Sequence, residues 1–300
     1  MPRARPRPRV AVFVEPNPDP AVAAASERAV GWPRTDAELA RRFALPGSLH
    51  LVARDSKGPA LATASCVVHD GWRDVAPGGL AWIGGMAVDA KARGRGLGAA
   101  LLDGLLAHAR ARDVSVIGLD ATREGRPLYE RAGFGEVDVS ERWSLPPSAT
   151  AKPPATPPGD HAVYPISSCE IMDLVAFDAP RFGASRGPLL AALLAAFPER
   201  SFVTFSRSTG AITGLVCGQE RHVGPWVADD PVAAAWLLHA CVAAGTPPFV
   251  MAPRSNTRAA EALASLGYAR DGIACARMTI GGPLRARRDA VYGIAAWALG

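Results

Sequence analysis

Residues 80–106 read LAWIGGMAVDAKARGRGLGAALLDGLL, and the fold turns on how that stretch is parsed. Leu80–Val88 is an apolar run without a charge, which predicts a strand. Residues 91–98, KARGRGLG, are basic and glycine-rich and predict a loop. Leu97, Leu101, Leu102, Leu105 and Leu106 then recur at spacings that share one face of a helix. Glycines at 94, 96 and 98 remove Cβ atoms where the backbone must turn and a ligand must come close. The first amides of a helix have no intrahelical partner and carry the positive end of its dipole. A strand, a glycine loop and a helix in that order form an anion seat, to which Arg93 and Arg95 add charge.

Spacing narrows the anion. A dinucleotide fingerprint needs G-x-G-x-x-G, and a Walker loop needs Gly-Lys-Ser/Thr; neither is present in this stretch. The pattern that fits is R-x-x-G-x-G, met by Arg93, Gly96 and Gly98. With MAVDA before it (86–90) and AALL after it (99–102), the stretch resembles the acetyl-CoA pyrophosphate loop of the GNAT N-acetyltransferase superfamily. A second block, IGLDATREGRPLYERAGF at 117–134, resembles that superfamily's next strand and helix and ends in its L-Y-x-x-x-G-F. The resemblance covers roughly residues 8–145. It implies a mixed α/β fold, a mostly antiparallel sheet flanked by helices, with acetyl-CoA as co-substrate.

Composition suits two domains. The chain has 300 residues, 49% of them hydrophobic, and a mean hydropathy of +0.09. Net charge is +5, with a pI near 9.2. Part of that excess lies in Arg3, Arg5, Arg7 and Arg9, which are interleaved with prolines and cannot form a regular helix. No other basic run alternates with aromatics, so nucleic acid is not the expected partner. Cysteines 66, 169, 217, 241 and 275 are scattered, with no C-x-x-C and no zinc-ligand spacing, so no metal is expected. No apolar stretch of about 20 residues spans a membrane. A reduced cytoplasm is the expected setting, and a homodimer stays open.

Ahead of the central stretch, residues 9–15 predict a strand, and 18–45 predict two short helices interrupted at Gly31–Trp32–Pro33. Thr35 and Glu38 form a capping box, and Trp32 belongs either to the core, the plainer reading, or to the wall of an acceptor site. Residues 48–54 and 60–69 predict two strands around Asp55–Gly58. After it, 114–119 predict a strand, 126–132 a helix ended by Gly133, and 136–145 another strand. Residues 146–160, PPSATAKPPATPPGD, have a linker's composition. The expected domains are therefore 1–146 and 161–300, joined by 147–160.

The second half resembles a worn copy of the first, in the same order of elements. Residues 202–206 and 211–219 resemble a hairpin, 223–228 the central strand and 232–243 its helix. Residues 248–251 and a helix ending Leu266–Gly267–Tyr268 follow. Where Arg93–Gly98 should recur, the copy has Asp229, Asp230 and Pro231. Two carboxylates repel a pyrophosphate and proline lacks an N–H, so this copy is expected not to bind CoA there. FGASR (182–186), GPWVA (224–228) and Arg277–Met278 resemble the C-terminal GNAT-like domain of tandem bacterial members.

The resemblance also distributes roles. Cofactor-binding candidates are Met86, Ala87, Val88, Arg93, Gly94, Arg95, Gly96, Leu97, Gly98, Ala99, Thr122 and Tyr129. Catalytic candidates are Val88, whose amide would face the thioester oxygen, and Tyr129, whose phenol would donate to the departing sulfur. The family's strand glutamate is missing from Leu80–Ile83. Asp89, Asp120, His69, Asp70 and a water relay remain as candidate bases, although a cap for Asp89 and local bonding for Asp120 are the plainer readings. Asp173, Asp178 and Arg186 either reach a shared cleft or form surface ion pairs, the latter being the plainer reading. The leading expectation is acetyl transfer to a primary amine of a small molecule, such as an amino sugar or a polyamine-like acceptor. The alternative is a non-catalytic acetyl-CoA sensor.

Overall fold

Alternation in LHLVARD and ALATASCVVH, each bounded by turn residues, makes an antiparallel hairpin, and the first three strands build on it. A computed structural model of the chain describes residues 12–55, 58–73, 75, 78–146, 151–245, 249–282 and 285–300. The Arg-Pro arm, Ser56–Lys57 of the hairpin turn and residues 147–150 of the linker lie outside these. Along the chain run β1 (Val12–Pro16), α1 (Pro20–Ala29), α2 (Asp36–Phe43), β2 (Leu49–Asp55), β3 (Ala60–His69), β4 (Leu80–Val88) and α3 (Leu97–Arg110). Then come β5 (Val116–Ala121), α4 (Arg126–Arg131), β6 (Gly135–Ser144), β7 (His161–Pro165), α5 (Ile171–Phe182) and α6 (Gly187–Ala196). The rest is β8 (Ser201–Ser206), β9 (Ile212–Gly218), β10 (Val223–Ala228), α7 (Pro231–Ala243), β11 (Phe249–Pro253), α8 (Thr257–Ser265), β12 (Ala269–Ile280) and β13 (Val291–Gly293).

These elements form two compact units. One holds the chain up to Cys66 together with Gly85–Ala111; the other holds Val67–Gly84 and Arg112–Gly300. The units are thus not the two sequence halves on either side of 147–160. Strand exchange is the reason. β12, from the C-terminal half, pairs antiparallel with both β5 and β6 of the N-terminal half, and β6 pairs in turn with β11.

In the first unit β1, β2 and β3 are antiparallel neighbours. The α3 leucines 97, 101, 102, 105 and 106 are all buried, each worth about 1.5–3 kcal/mol of apolar transfer. Gly104 lets α3 approach β2, since a Cβ there would stand 2.9 Å from Leu51 Cδ1. α1 and α2 pack through Ala23, Ala24 and Leu39. Asp19 caps α1, and Thr35 Oγ1 caps α2 by accepting from the Glu38 amide at 3.0 Å. Trp32, expected in the core, is only half-buried: it follows α1 in an exposed turn.

In the second unit the sheet is antiparallel except at β4–β5 and β10–β11. Those two parallel pairs are joined by α3 and α7, the crossover helices that parallel strands require. Trp226, Leu237, Leu238, Val250, Leu263 and Tyr292 share one core. Residues 290–300 are largely buried, and polar side chains hold their carbonyls. Trp82 Nε1 donates to Trp297 O at 3.1 Å, and Gln219 Nε2 donates to Ala295 O at 2.7 Å. Among the described residues no helix is long and apolar enough to cross a membrane.

Candidate functional site

β4 is apolar and enclosed over Leu80–Ile83, where it pairs in parallel with Val116–Leu119 of β5. The ladder stops there, ahead of a glycine pair. Gly85 has φ +59, and a Cβ on it would lie 2.6 Å from Glu27 Oε1 and 2.9 Å from Arg42 Nη2. Position 85 therefore requires glycine twice over, for its backbone and for the ion pair against it. Past it, Met86 and Val88 are half-buried and Ala87 is buried, so the strand exposes one face.

Glu27 was not among the sequence candidates. It is fully enclosed and accepts from Arg42 Nη2 at 2.5 Å and Arg34 Nε at 2.7 Å. Burial pushes its carboxyl up, but the two guanidiniums outweigh burial and hold it below the usual range. Two adjacent glycines inside an apolar strand are the signal that marks such a spot in sequence.

The loop after β4 begins at Asp89, whose carboxylate accepts from the Lys91 amide at 2.8 Å. That is a capping role, not a base's. Gly94 (φ +76) and Gly96 (φ +82) are both left-handed, and a Cβ on either would meet nothing within 4 Å. Glycine is needed here for the turn, and the space beside it is open. Gly96 is the N-cap of α3 and no side chain caps the helix; the first intrahelical bond is Ala100 N to Gly96 O, at 3.0 Å. Leu97 is buried, Gly98 half-buried and Ala99 exposed. The amides of 97–99 precede that first bond, so the helix end is an unfilled set of donors.

The two loop arginines differ. Arg93 is exposed, and its Nε makes one long contact to Val88 O at 3.5 Å. Arg95 is held by Asp55 of β2 through Nη1 at 3.2 Å and Nη2 at 2.5 Å. Part of its charge is already neutralised, a pairing that spans 40 positions in sequence.

Thr122 and Tyr129 belong to the other unit. Thr122 closes the turn into α4, accepting from the Gly125 amide at both its Oγ1 (3.2 Å) and its carbonyl (3.1 Å). Tyr129 is buried, with its ring over Gly125 and edge-on to Phe134 at 6.1 Å. Its hydroxyl has no hydrogen-bond partner among the described residues. Burial, with a smaller push from Cys275, raises the phenol above its ordinary pKa, so it keeps its proton.

The remaining candidate bases divide. Asp120 is enclosed, accepting from Arg277 Nε (3.1 Å) and Nη2 (2.7 Å) and from Ser140 Oγ (2.8 Å). His69 is buried and donates from Nε2 to Leu299 O at 3.1 Å. Burial and then the Arg186 charge lower its pKa to about 4, against the pull of that bond. The Asp120 carboxylate and the His69 Nε2 are thus both engaged by partners from the C-terminal end of the chain. Asp70 and Asp173 are exposed. Asp178 and Arg186, expected at the surface, instead form a fully buried pair at 2.7 and 2.8 Å. Helix α5 faces inward there, a placement that its sequence alone does not specify.

The C-terminal copy of the junction is closed. Asp230 caps α7, accepting from Val232 N at 2.8 Å and Ala233 N at 3.0 Å, and Pro231 follows at the first turn. Asp229 is held by Arg181 and Arg287.

The pattern of the acetyltransferase (GNAT) family matches residues 19–134, and that of an acetyltransferase (GNAT) domain matches 174–293. The chain belongs to the GNAT acetyltransferase family, with two GNAT domains in tandem, and is an acyltransferase enzyme. It is 26% identical over 199 residues to the uncharacterised N-acetyltransferase YitH of Bacillus subtilis (strain 168), covering 65% of this chain and 68% of that protein. It is 34% identical over 112 residues to glucosamine 6-phosphate N-acetyltransferase 1 of Oryza sativa subsp. japonica, covering 36% of this chain and 68% of that one. In fold it is similar to a Pyrococcus horikoshii protein assigned to the acetyltransferases, with TM-score 0.78 and 21% identity over 100% of this chain and 99% of that chain.

Proposed function

We propose that the protein transfers the acetyl group of acetyl-CoA to a primary amine of a small molecule, by direct attack in a ternary complex. One observation carries this reading: the uncapped start of α3, reached through two left-handed glycines and flanked by the exposed Arg93. That end offers amides and positive potential to a diphosphate, with open space beside each glycine. Bound there, acetyl-CoA would supply an activated acetyl group and a thiolate leaving group. Met86 and Val88 would hold the pantetheine arm along the exposed face of β4. The Val88 amide would donate to the thioester oxygen, and Tyr129 would donate its retained proton to the sulfur. The rice relative supports an amino-sugar acceptor. The C-terminal domain we read as degenerate at its own loop, because Asp230 occupies the donors that α3 leaves open.

Free thiol released from acetyl-CoA, followed across an amine panel, tests the reaction. Tyr129→Phe is expected to lower kcat about a hundredfold while leaving the KM for acetyl-CoA near wild type. Because the phenol's pKa is raised, kcat should show no loss from its deprotonation up to about pH 10. Tight CoA binding with no turnover of any amine would return the protein to the sensor reading.

A further inference from the structure

Four charged side chains are packed into the small hairpin of α1 and α2. Arg34, between the helices, donates to Glu27 Oε2 at 2.7 Å and to Glu38 Oε1 at 2.9 Å. Arg42 of α2 donates to Glu27 Oε1 at 2.5 Å. Each Glu27 oxygen is thus held by a different guanidinium, and the carboxylate cannot turn without breaking a bond. Glu27 is 0% and Arg42 6% exposed. The helices already share an apolar contact through Ala23, Ala24 and Leu39. A buried ion pair is weak evidence of stability, since apolar side chains of the same volume often do as well. Where the network sits is therefore the better guide to its role.

It sits against the bend of β4. Gly85 has φ +59, and a Cβ there would lie 2.6 Å from Glu27 Oε1, 2.9 Å from Arg42 Nη2 and 3.2 Å from Arg42 Nη1. The three heavy atoms nearest that position all belong to the ion pair. A left-handed residue inside a strand bends it and re-aims the residues beyond. Here those residues are Met86, Ala87 and Val88, which end the strand. Val88 is three residues on, about 10 Å along an extended chain. Charge-assisted hydrogen bonds fix direction as well as distance, so a bend resting on them has one seat.

We propose that Glu27, held by Arg34 and Arg42, is a positioning residue for acetyl transfer: it fixes the bend at Gly85 and so the direction in which the Val88 amide meets the thioester oxygen. The inference rests on the acetyltransferase reading above. Glu27 itself touches no substrate and takes no proton, because it is enclosed and both its oxygens are bonded. Its loss is felt in the step that uses the Val88 amide. The diphosphate seat lies further on, past the separate left-handed glycines 94 and 96, and should hold CoA as before. A misaimed oxyanion donor lowers kcat, whereas CoA, which has no thioester carbonyl, does not feel it.

Glu27→Gln keeps the shape and leaves one acceptor oxygen for two guanidiniums. It is compared with wild type by thiol release for kcat and by calorimetry for CoA binding. A third readout is the carbonyl stretch of bound, isotope-labelled acetyl-CoA, which a hydrogen bond lowers. Glu27→Gln should lower kcat about tenfold or more, keep the Kd for CoA within about twofold, and raise the stretch. The drop should be the same at every pH tested; a lost acid limb would make Glu27 the base and overturn the proposal. Wild-type kcat and an unmoved stretch in a folded Glu27→Gln also overturn it. So does equal loss of kcat and CoA binding, which would make the network a support of the fold alone. If Glu27→Gln does not fold, Arg34→Gln removes one of the two holders from the partly exposed edge of the network. It should show the same split at about threefold, and wild-type values there overturn the proposal. No binding of acetyl-CoA by wild type overturns both this inference and the transferase. Binding without acetylation, but with a stretch that Glu27→Gln moves, sinks the transferase and leaves Glu27 in control of the amide.

Discussion

The chain builds one strand–helix junction twice, and the two versions end in opposite states. β4 enters α3 through Gly96 at a left-handed φ, with no side chain on the helix end. β10 enters α7 through Asp230, whose carboxylate takes two of the amides, with Pro231 behind it. Both helices cross between parallel strands, so the architecture needs both. It does not need either end left open. The open end is the one proposed above as the seat of a diphosphate, whereas at the capped end the chain's own carboxylate takes the amides.

Grafting the closed state onto the open one should produce the largest effect. Gly96→Asp places a carboxylate where the diphosphate is proposed to sit, and should weaken CoA binding about a hundredfold. Gly96→Asn carries the same left-handed strain and a similar capping group without charge, and should lose about tenfold. The gap between the two, read by calorimetry at low salt, isolates the charge. An Asp variant that binds CoA like wild type would remove the distinction between the junctions.

What could be read from sequence at these junctions was local. The leucine spacing of α3, the glycines at 94 and 96, and the Asp-Asp-Pro of the second copy each act within one helical turn of their own position. What could not be read was pairing at a distance. Arg277 bonds Asp120 across 157 positions, and Arg142 bonds Asp271 across 129. The exchange of β6 and β12 depends on strand register, which hydrophobic alternation does not choose between equivalent edges. The Asp178–Arg186 pair is different: its partners are only eight positions apart, and what the sequence leaves open is which face of α5 is covered. The base candidates show the same limit: the partners of Asp120 and His69, Arg277 and Leu299, come from the far end of the chain.

Opening the closed junction should have a smaller effect, and on stability alone. Asp230→Ala removes a cap that satisfies two amides, and should lower unfolding free energy by about 1 kcal/mol, read as a shift in urea midpoint at constant slope. No CoA binding should appear at α7. Pro231 still lacks an N–H, and Asp229, held by Arg181 and Arg287, still faces the helix start with negative charge. New CoA binding in this variant would show that the cap alone separates the two copies.

The finest distinction lies within the open junction, between its two arginines. Arg95 is bidentate to Asp55, each side chain about one-third exposed, while Arg93 makes only its long contact to Val88 O. An ion pair open to solvent contributes little and is screened by salt. Arg93→Ala should therefore weaken CoA about tenfold, and Arg95→Ala much less. Asp55→Asn frees the Arg95 guanidinium for a phosphate without touching the loop, and should tighten CoA by about two- to threefold at low salt. That gain should vanish near 1 M salt, where the Debye length is about 3 Å. If Asp55→Asn instead weakens CoA, then Asp55 holds Arg95 in its binding position, and the pair is part of the seat and not a brake on it.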